Sequence, residues 1–421
     1  MFSKTTLENG LKIITHEQPG VESVYVDVEV SAGSKYCPPG KEGLAHFVEH
    51  MVMNGTKNYP SPLDVRRAIE SLGGVINAFT GKESVDYIVK VLYKDLEKAA
   101  EVIFPLTTSP LLSESEIPGE QKIILEEIAQ RQDHIGKKVS DASFKLIFGE
   151  HPLSHPVLGY PETISKIKNT DVVSFFRKFY APENTVIVAS GNVFHESFVE
   201  LVKYYFSNKE IKPPVYSEFR YQQFGPRAVV MAEESKQANL RLLFPNSPKN
   251  LHDYLVGKSL SSLLSSKDRL FARLREKEKL VYSIGTGSNR YKDLSVLNVY
   301  GGFSYSELVK SVKVVCEELK RTKEEDIKPE ELKKIKKLIE VDLLFGLETP
   351  DVWVDFIFNW NHFLGDPIEP KQFLGELEKI SAGEIRKLAQ KIFVPENAYL
   401  AVSHKSVTAK ELEKILREGL S

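Results

Sequence analysis

The amino-acid sequence predicts an α+β protein of two homologous domains, each a largely antiparallel sheet with helices packed on one face. Two observations lead to this prediction. A block of helix, turn and strand occurs twice in the chain, and the predicted strands are joined sometimes by helices and sometimes by short turns. The chain has 421 residues, 42% of them apolar and 27% charged, which suits a globular protein with more than one core.

The repeated block is a helix followed by Pro-Glu-Asn and a short apolar strand. Its copies lie at residues 166–190 and 379–403, an offset of 379 − 166 = 213 residues. Proline ends a helix and fixes the turn, so the tripeptide suits the junction. The alternative is a chance likeness, but identical residues in one register favour duplication. The sequence therefore predicts a first domain over 1–206, a polar linker over 207–226 and a second domain over 227–421.

Hydrophobic periodicity gives the elements within each half. Apolar runs, alternating or continuous, predict strands at residues 23–30, 87–92, 228–231, 239–244 and 295–300. Helical spacing of apolar residues predicts helices at residues 63–71, 96–103, 120–131, 254–274, 307–319 and 329–344.

Composition excludes several classes of function. The net charge of −2 gives no electrostatic basis for nucleic-acid binding, and no apolar run approaches the roughly 18 residues that cross a bilayer. The first residues lack the basic-then-apolar pattern of a signal peptide. The two cysteines, Cys37 in a predicted loop and Cys316 in a predicted helix, lie far apart and fit neither a disulfide framework nor a cysteine zinc site. We therefore expect a cytoplasmic protein that binds neither nucleic acid nor membrane.

The segment from Gly43 to Met51 carries two histidines and a glutamate at helical spacing. His46 and His50 share one face of a helix, where both imidazoles can bind one metal ion. Glu49 lies on the same side and can accept a proton from a water molecule at that metal. The order His-x-x-Glu-His is the inverse of the common zinc-protease motif. Chance occurrence of so short a pattern is the alternative, and a third ligand would argue against it.

A catalytic zinc site needs a third protein ligand, and residues 119–128 offer three glutamates on one predicted helix. Glu120 and Glu127 are seven residues apart and share a face that is otherwise apolar, whereas Glu126 is rotated away. A carboxylate on an apolar face needs a partner, and a metal would serve. A solvated helix flank would need none, and the helix alone leaves both interpretations open.

These residues resemble the pitrilysin/insulinase-type metallopeptidases, especially the short members related to the mitochondrial processing peptidase. That family has His-x-x-Glu-His followed by a glutamate ligand, and here 76 residues separate His50 from Glu127. The resemblance implies that Glu127 is the third zinc ligand. It also implies that Glu120 is an accessory glutamate that supports the site from behind the ligands. The match covers nearly the whole chain.

The same resemblance implies the substrate contacts. Asn77, Ala78 and Phe79 match the substrate-binding edge strand of the family, which can add an extended peptide as a further strand. Arg275 and Tyr282 match the family's Arg/Tyr pair, seven residues apart, which can donate hydrogen bonds to a substrate carbonyl or its oxyanion. The chain departs from the family before this tyrosine, where Lys279 stands at a position that is usually glycine.

The expected function is therefore that of a zinc-dependent endopeptidase, with one Zn²⁺ per chain, which hydrolyses peptides or unfolded segments through a metal-activated water. The family encloses its substrates in a chamber made by two such chains or by one double-length chain, so we expect a homodimer. Two alternatives stay open: a non-catalytic scaffold subunit of the same fold, and a subunit that is active only with a different partner chain.

Overall fold

The computed structural model describes residues 2–206, 225–233, 237–292 and 294–421. The strands are β1 Phe2–Thr6, β2 Lys12–Glu17, β3 Ser23–Val30, β4 Val75–Thr80, β5 Val85–Leu92, β6 Thr185–Gly191, β7 Arg227–Met231, β8 Gln237–Asn246, β9 Val281–Arg290, β10 Ser295–Ser304 and β11 Tyr399–Ser403. The helices are α1 Leu44–Met53, α2 Pro62–Glu70, α3 Leu96–Thr108, α4 Ile117–Asp133, α5 Ile135–Phe148, α6 Pro161–Ile164, α7 Asn169–Phe179, α8 His195–Phe206, α9 Leu251–Ser265, α10 Leu308–Glu324, α11 Pro329–Gly346, α12 Pro350–Leu364, α13 Pro370–Lys379, α14 Ala382–Ile392 and α15 Ala409–Leu420.

Two sheets organise the chain, as the sequence predicts. The first has the order β1-β2-β6-β3-β5-β4 and the second the order β7-β11-β8-β10-β9. Among the described strands, all pairings are antiparallel except β2 with β6 and β7 with β11. The predicted fold class, two related α+β parts with largely antiparallel sheets, is therefore confirmed.

The duplication is visible in the topology. The run β2-β6-β3-β5-β4 has the same order and the same single parallel pair as β7-β11-β8-β10-β9. The Pro-Glu-Asn turns at 182–184 and 395–397 both precede the strand of that parallel pair, β6 and β11. Because the pattern occurs at one offset and in one topology, equivalent positions of the two sheets can be compared directly.

The main core of the first sheet lies between its strands and the helices α1, α3, α7 and α8. Strand β5 illustrates why. Val85, Tyr87, Val89 and Val91 alternate inward and are at most 4% exposed, as expected for a strand with one face on a core. Helix α2 is capped by a neighbouring residue, since the Ser61 hydroxyl accepts a hydrogen bond from the Asp64 backbone N–H.

One helix also covers the opposite face of each sheet, which the sequence analysis did not anticipate. Helix α12 packs on Ile14 and Val188 through Val354 and Ile357. Helix α5 packs on the second sheet around Leu243. The offset of 213 residues maps the start of α5, residue 135, onto residue 348, next to the start of α12. The two helices are therefore equivalent in the duplication.

The chain forms two compact units, and each unit is made of separate segments because helices α5 and α12 pack on the sheet of the other half. The first comprises described residues from 1–130, 155–217 and 346–369, and the second those from 131–154, 218–345 and 370–421. Each half of the sequence thus contributes its helix, α5 or α12, to the other unit. The division into 1–206 and 227–421 stays a prediction about the duplicated halves. The predicted linker 207–226 lies outside the described residues except for its last two positions.

The helix predicted at 254–274 ends earlier than expected. Helix α9 stops at Ser265, and a π-helical segment, Ala272–Lys277, follows after a turn. Over the described residues, no helix combines the length and the apolar character needed to cross a membrane.

Candidate functional site

Helix α1 presents the three motif side chains on one side. Its start requires Gly43, which has φ 96° and where a Cβ would lie 2.6 Å from the Leu158 carbonyl oxygen. Helical geometry then brings potential ligand atoms of His46, Glu49 and His50 within 4.8 Å of one another. The other face of α1 is buried in the main core, so the helix cannot rotate these side chains away.

Helix α4 brings both predicted glutamates to the histidines. Glu127 faces the pair, with its Oε2 3.7 Å from His46 Nε2 and its Oε1 3.8 Å from His50 Nε2. Glu120 lies behind the pair, with its Oε2 2.8 Å from His50 Nδ1. The Asn54 side-chain amide donates to the other oxygen of Glu120 at 3.0 Å. The two glutamates therefore contact different nitrogens of the same imidazole.

This donor set fits a zinc ion. Ligands at about 2.0–2.1 Å in a tetrahedron lie about 3.4 Å apart, close to the 3.7 and 3.8 Å that join the two Nε2 atoms to Glu127. Two imidazoles and one carboxylate are the ligands of many catalytic zinc sites. The contact of Glu120 with His50 Nδ1 fixes the ring so that Nε2 is the nitrogen left for a metal.

Burial keeps His46 in the form that binds a metal. Desolvation, followed by the charge of His50, lowers the pKa of His46 to about 3, so its imidazole is neutral at pH 7. Within the described part of the chain, the buried His46 Nδ1 has no hydrogen-bond partner.

The second imidazole differs. Burial alone would lower the pKa of His50, but its hydrogen bond to Glu120 and the nearby carboxylate charges outweigh burial and raise it. Burial also opposes ionisation of Glu120, yet the hydrogen bonds from His50 and Asn54 lower its pKa on balance. Both shifts describe a negatively charged Glu120 that makes the His50 imidazole more basic.

Glu49 is 8% exposed and is held by an edge strand. Burial raises the pKa of Glu49, although a hydrogen bond from the Thr80 hydroxyl, at 2.5 Å, opposes this rise. A carboxylate with a raised pKa is suited to accept and release a proton. The sequence analysis missed both Thr80 and Asn54. The signal for Thr80 was its position at the end of the Asn-Ala-Phe strand, on the face shared with Ile76 and Ala78.

The predicted substrate strand, β4, lies at one of the two edges of the first sheet. Among the described residues it pairs only with β5, so one edge carries backbone groups outside the ladder. The Ala78 N–H donates to the side-chain oxygen of Asn77 at 2.9 Å. Phe79 is 52% exposed. The strand is therefore available to a peptide if Asn77 releases the amide.

The predicted Arg/Tyr pair lies in the second unit, whereas the other predicted site residues lie in the first. Arg275 is in the π-helical segment, and its Nη1 donates to the Tyr282 backbone carbonyl at 2.7 Å. Arg275 therefore holds the strand that carries Tyr282, whose side chain is 63% exposed. Lys279 has φ 55°, so the chain adopts with a lysine the left-handed conformation that favours glycine.

Family models match both halves of the chain. Residues 12–160 match the model described as insulinase, peptidase family M16, and residues 166–339 match the model described as the peptidase M16 inactive domain. The first region contains the His-x-x-Glu-His motif together with Glu120 and Glu127.

Relatives and solved structures match over almost the full length. The uncharacterized zinc protease YmxG of Bacillus subtilis is 28% identical over 408 residues, 96% of this chain and 98% of that protein. A protease structure from Helicobacter pylori has a TM-score of 0.88 at 22% identity, covering 96% of this chain and 99% of that one. A chain in the structure of Complex III2 from Candida albicans, with Inz-5 bound, has a TM-score of 0.85 at 15% identity, covering 99% of both. By its sequence, the chain belongs to peptidase family M16, the insulinase family.

Proposed function

We propose that the protein is a zinc-dependent endopeptidase that hydrolyses peptides or unfolded segments. The observation that carries this proposal is the convergence of both histidine Nε2 atoms on the carboxylate of Glu127, with Glu49 on the same helix as the histidines. His46, His50 and Glu127 would hold one zinc ion per chain. The relatives named as zinc proteases support the choice of metal.

A bound zinc ion would polarise the scissile carbonyl and lower the pKa of a water molecule in the site. Glu49 would accept the proton of the attacking water and return it to the leaving amine. Its burial supports this role, because desolvation raises the pKa of its carboxyl towards that of a group able to do both. Thr80 would keep the carboxylate oriented through its hydrogen bond.

The substrate backbone would bind along the free edge of β4. A peptide that adds as a strand would compete with the Asn77 side chain for the Ala78 N–H. Tyr282 would donate its phenolic hydroxyl to a substrate carbonyl, and Arg275 would contribute its remaining N–H groups. Arg275 already anchors the Tyr282 backbone, so the two would act as a unit.

Homodimerisation and a cytoplasmic location belong to the same proposal. One chain carries the metal motif and the Arg/Tyr pair, so two identical chains suffice for a closed chamber. Analytical ultracentrifugation of the active protein at assay concentration would measure the mass. A strictly monomeric mass with full activity would remove the dimer and leave the peptidase.

A non-catalytic scaffold subunit is the second candidate. The likeness in fold to a chain of Complex III2 favours it, because that chain is part of a larger assembly. The intact set of His46, Glu49, His50 and Glu127 argues for the peptidase, since a scaffold has no physical need for these residues together. A third candidate, activity only beside a different partner chain, is weakened by the presence of the Arg/Tyr pair in this chain.

The deciding experiment is cleavage of a quenched-fluorescent peptide library by the purified protein. We expect chelator to abolish cleavage and added zinc to restore it. Glu49→Gln should retain one zinc per chain and lose at least about a hundredfold in turnover, because general acid–base catalysis contributes about that much. Glu127→Gln should lose zinc. Glu126→Gln, an exposed neighbour on α4, is the matched control and should behave like the wild type.

Each outcome separates the candidates. Hydrolysis at a near-normal rate by Glu49→Gln would remove the catalytic role of that residue. Zinc-loaded protein that cleaves no library member would favour the scaffold or partner-dependent alternatives, and the next step would be copurification of a second subunit.

A further inference from the structure

The second sheet carries a groove on the face that it shares with α5. Its volume is about 560 Å³, within the range typical of small-ligand and peptide-side-chain sites. Arg241 and Asn239 of β8, Asn289 of β9, and Asn298 and Tyr300 of β10 line it. We call it the β8–β10 groove. It lies entirely within the second unit.

Side chains are absent where the groove needs space. Gly136 of α5, Gly287 of β9 and Gly302 of β10 also line it. A Cβ at Gly302 would lie 2.9 Å from the Gln237 side-chain oxygen, so a larger residue there would crowd the wall. Glycine inside a strand commonly marks a close approach by a ligand or another backbone.

Among the described residues that line the groove, Arg241 is the charged one, and its hydrogen bonds are to neutral partners. Its Nη1 donates to the Ser140 hydroxyl, and its Nη2 donates to the Asn289 side-chain oxygen at 3.0 Å. The guanidinium carbon lies 5.1 Å from the centre of the Phe144 ring. A guanidinium has five N–H groups, so three have no partner within the described part of the chain. One of them, on Nε, is fully buried.

No carboxylate among the described residues forms an ion pair with Arg241. The carboxylate whose charge raises the pKa of Arg241 is Asp141, which Arg131 binds through two hydrogen bonds of 3.0 and 2.7 Å. Desolvation by burial lowers the pKa of Arg241 and outweighs the charges of Tyr291, Tyr300 and Asp141, which raise it. A half-buried cation with no ion-pair partner loses part of its hydration, and a bound anion would offset that loss.

The equivalent position of the first sheet carries an acidic residue in place of the arginine. Arg241 pairs with Ala401 of β11, and Asp27 pairs with Val188 of β6, at 401 − 188 = 213, the repeat offset. Burial is the main cause that raises the pKa of Asp27, and the charges of the neighbouring Asp86, Glu29 and Asp355 raise it further. The two halves therefore carry a buried acidic residue and a half-buried basic residue at the same place in the sheet.

We propose that the β8–β10 groove is a binding subsite for a carboxylate of a peptide, either its C-terminal carboxylate or an Asp or Glu side chain, and that Arg241 is its counter-charge. The unused N–H groups of the guanidinium would bind the carboxylate oxygens, and the amides of Asn239 and Asn298 would solvate them. This inference rests on the proposed peptidase function, because it names a class of peptide that the protein would prefer.

The test measures binding without turnover. Full-length Glu49→Gln protein is titrated with fluorescent peptides that share one sequence in three forms: one Glu with a free C-terminus, the same peptide with a C-terminal amide, and the same peptide with Gln for Glu. Peptides are chosen because they bind the variant, not because they are cleaved. We expect removal of one carboxylate to weaken binding by about tenfold or more, as for a charge-assisted hydrogen bond.

Weaker binding of the amidated peptide would identify the C-terminal carboxylate as the bound group. Weaker binding of the Gln peptide would identify the Glu side chain. Adding Arg241→Gln should weaken the original peptide to the affinity of the weaker-binding form. Arg177→Gln, which removes an exposed arginine of the first unit, is the matched control and should have no effect. Equal affinity of all three peptides, or a preference that survives Arg241→Gln, would overturn the proposal. If Arg241→Gln does not fold, as judged by circular dichroism, the peptide series decides alone.

Failure here is distinguishable from failure of the proposed function. Cleavage by the wild type together with equal affinity for the three peptides would remove only the subsite. Carboxylate-dependent binding without cleavage by the wild type would keep the subsite and remove the peptidase.

Discussion

Glu120 and Glu127 lie on the same helix face but contact the histidines in different ways. Glu127 faces both Nε2 atoms, at 3.7 and 3.8 Å, whereas Glu120 contacts only His50 Nδ1. Glu120 is more deeply buried, at 7% exposed, and its second oxygen accepts a hydrogen bond from the Asn54 side-chain amide. Glu127 is thus free to bind a metal, and Glu120 is committed to orienting a ring.

This difference predicts the phenotype of Glu120→Gln. The amide keeps the shape of the side chain but removes the charge that favours a hydrogen on His50 Nδ1. We expect zinc affinity to fall about 10–100-fold. Competition with a zinc-sensitive dye would measure it. Glu116→Gln, on an exposed turn before α4, is the control. An unchanged zinc affinity in Glu120→Gln would show that the contact with His50 has no orienting role.

Lys279 predicts a gain in stability. A left-handed conformation costs a non-glycine residue about 1–2 kcal/mol, part of which glycine gives back through the flexibility of the unfolded chain. Lys279→Gly should therefore raise the free energy of unfolding by up to about 1 kcal/mol. Urea denaturation at constant m-value would measure the gain. Lys277→Gly, in the adjacent π-helical segment, should destabilise instead. A loss of stability in Lys279→Gly would contradict the strain argument.

At the residue scale, spacing predicted the motif but not its surroundings. Two histidines and a glutamate share a helix face by geometry, so the sequence placed them together. Glu127 needed the family resemblance, because a helix face alone does not say what lies opposite. Thr80 and Asn54 came from the folded chain, since contacts between distant segments leave no local pattern. The departure at Lys279 was visible, but its φ of 55° was not.

At the element scale, α12 covers a sheet face that carries buried acids. Asp27 and Glu29 of β3 are 4% exposed, and Asp86 of β5 and Asp355 of α12 lie with them. Burial, followed by the charges of neighbouring carboxylates, raises the pKa of both β3 residues. The Nε2 atom of His362 in α12 lies 3.2 Å from Glu29 Oε1. The interface between this helix and its sheet is therefore sensitive to ionisation.

Asp86→Asn tests that sensitivity. Burial, followed by the charges of Asp355 and Glu49, raises the pKa of Asp86 to about 7 from 3.8, against a hydrogen bond from Ser84. Between pH 4 and 7 the unfolded chain loses this proton while the folded chain keeps it, so the group lowers stability as pH rises. The variant cannot ionise. Relative to the wild type it should become more stable from pH 4 to 8, as measured by urea denaturation.

A carboxylate elsewhere provides the comparison. Glu70→Gln removes an exposed acid of α2 and should show no such trend. A constant difference between Asp86→Asn and the wild type across this pH range would mean that Asp86 ionises alike in both states.

The elements that periodicity predicted are present, whereas helices such as α5 and α12 were not predicted. Strand β3 begins and ends where the alternation predicts, and most helices differ by a few residues at their ends. The error at 254–274 has a physical cause. Apolar spacing continues through the segment, but the chain turns after Ser265 and resumes as a wider π-helical segment that periodicity does not distinguish.

At the scale of the whole molecule, the duplication explains the architecture and limits what sequence can predict. Equal strand order in the two sheets follows from one ancestral half. The exchange of α5 and α12 between the two units cannot be predicted from the duplication. Each helix has the same apolar face whichever sheet it covers. Only the folded chain shows which sheet each helix joins.

The exchange predicts the behaviour of separated halves. Residues 1–206 alone would lack α12, leaving Ile14 and Val188 uncovered, and residues 227–421 alone would lack α5. We expect each half to be aggregation-prone by itself and the two to form a folded complex when coexpressed. Size-exclusion chromatography and circular dichroism would measure this. A half that folds cooperatively alone would contradict it.

The position of α12 in the chain also has a consequence for synthesis on the ribosome. The strands of the first sheet are complete at residue 191, but the helix that covers their second face ends at residue 364. The ribosome adds about 5–20 residues per second, so 364 − 191 = 173 further residues take about 9–35 s. During that interval the apolar side chains of Ile14 and Val188 lack the helix that covers them. A chaperone that binds nascent chains would find its target there, whereas α5 is made before the sheet that it will cover.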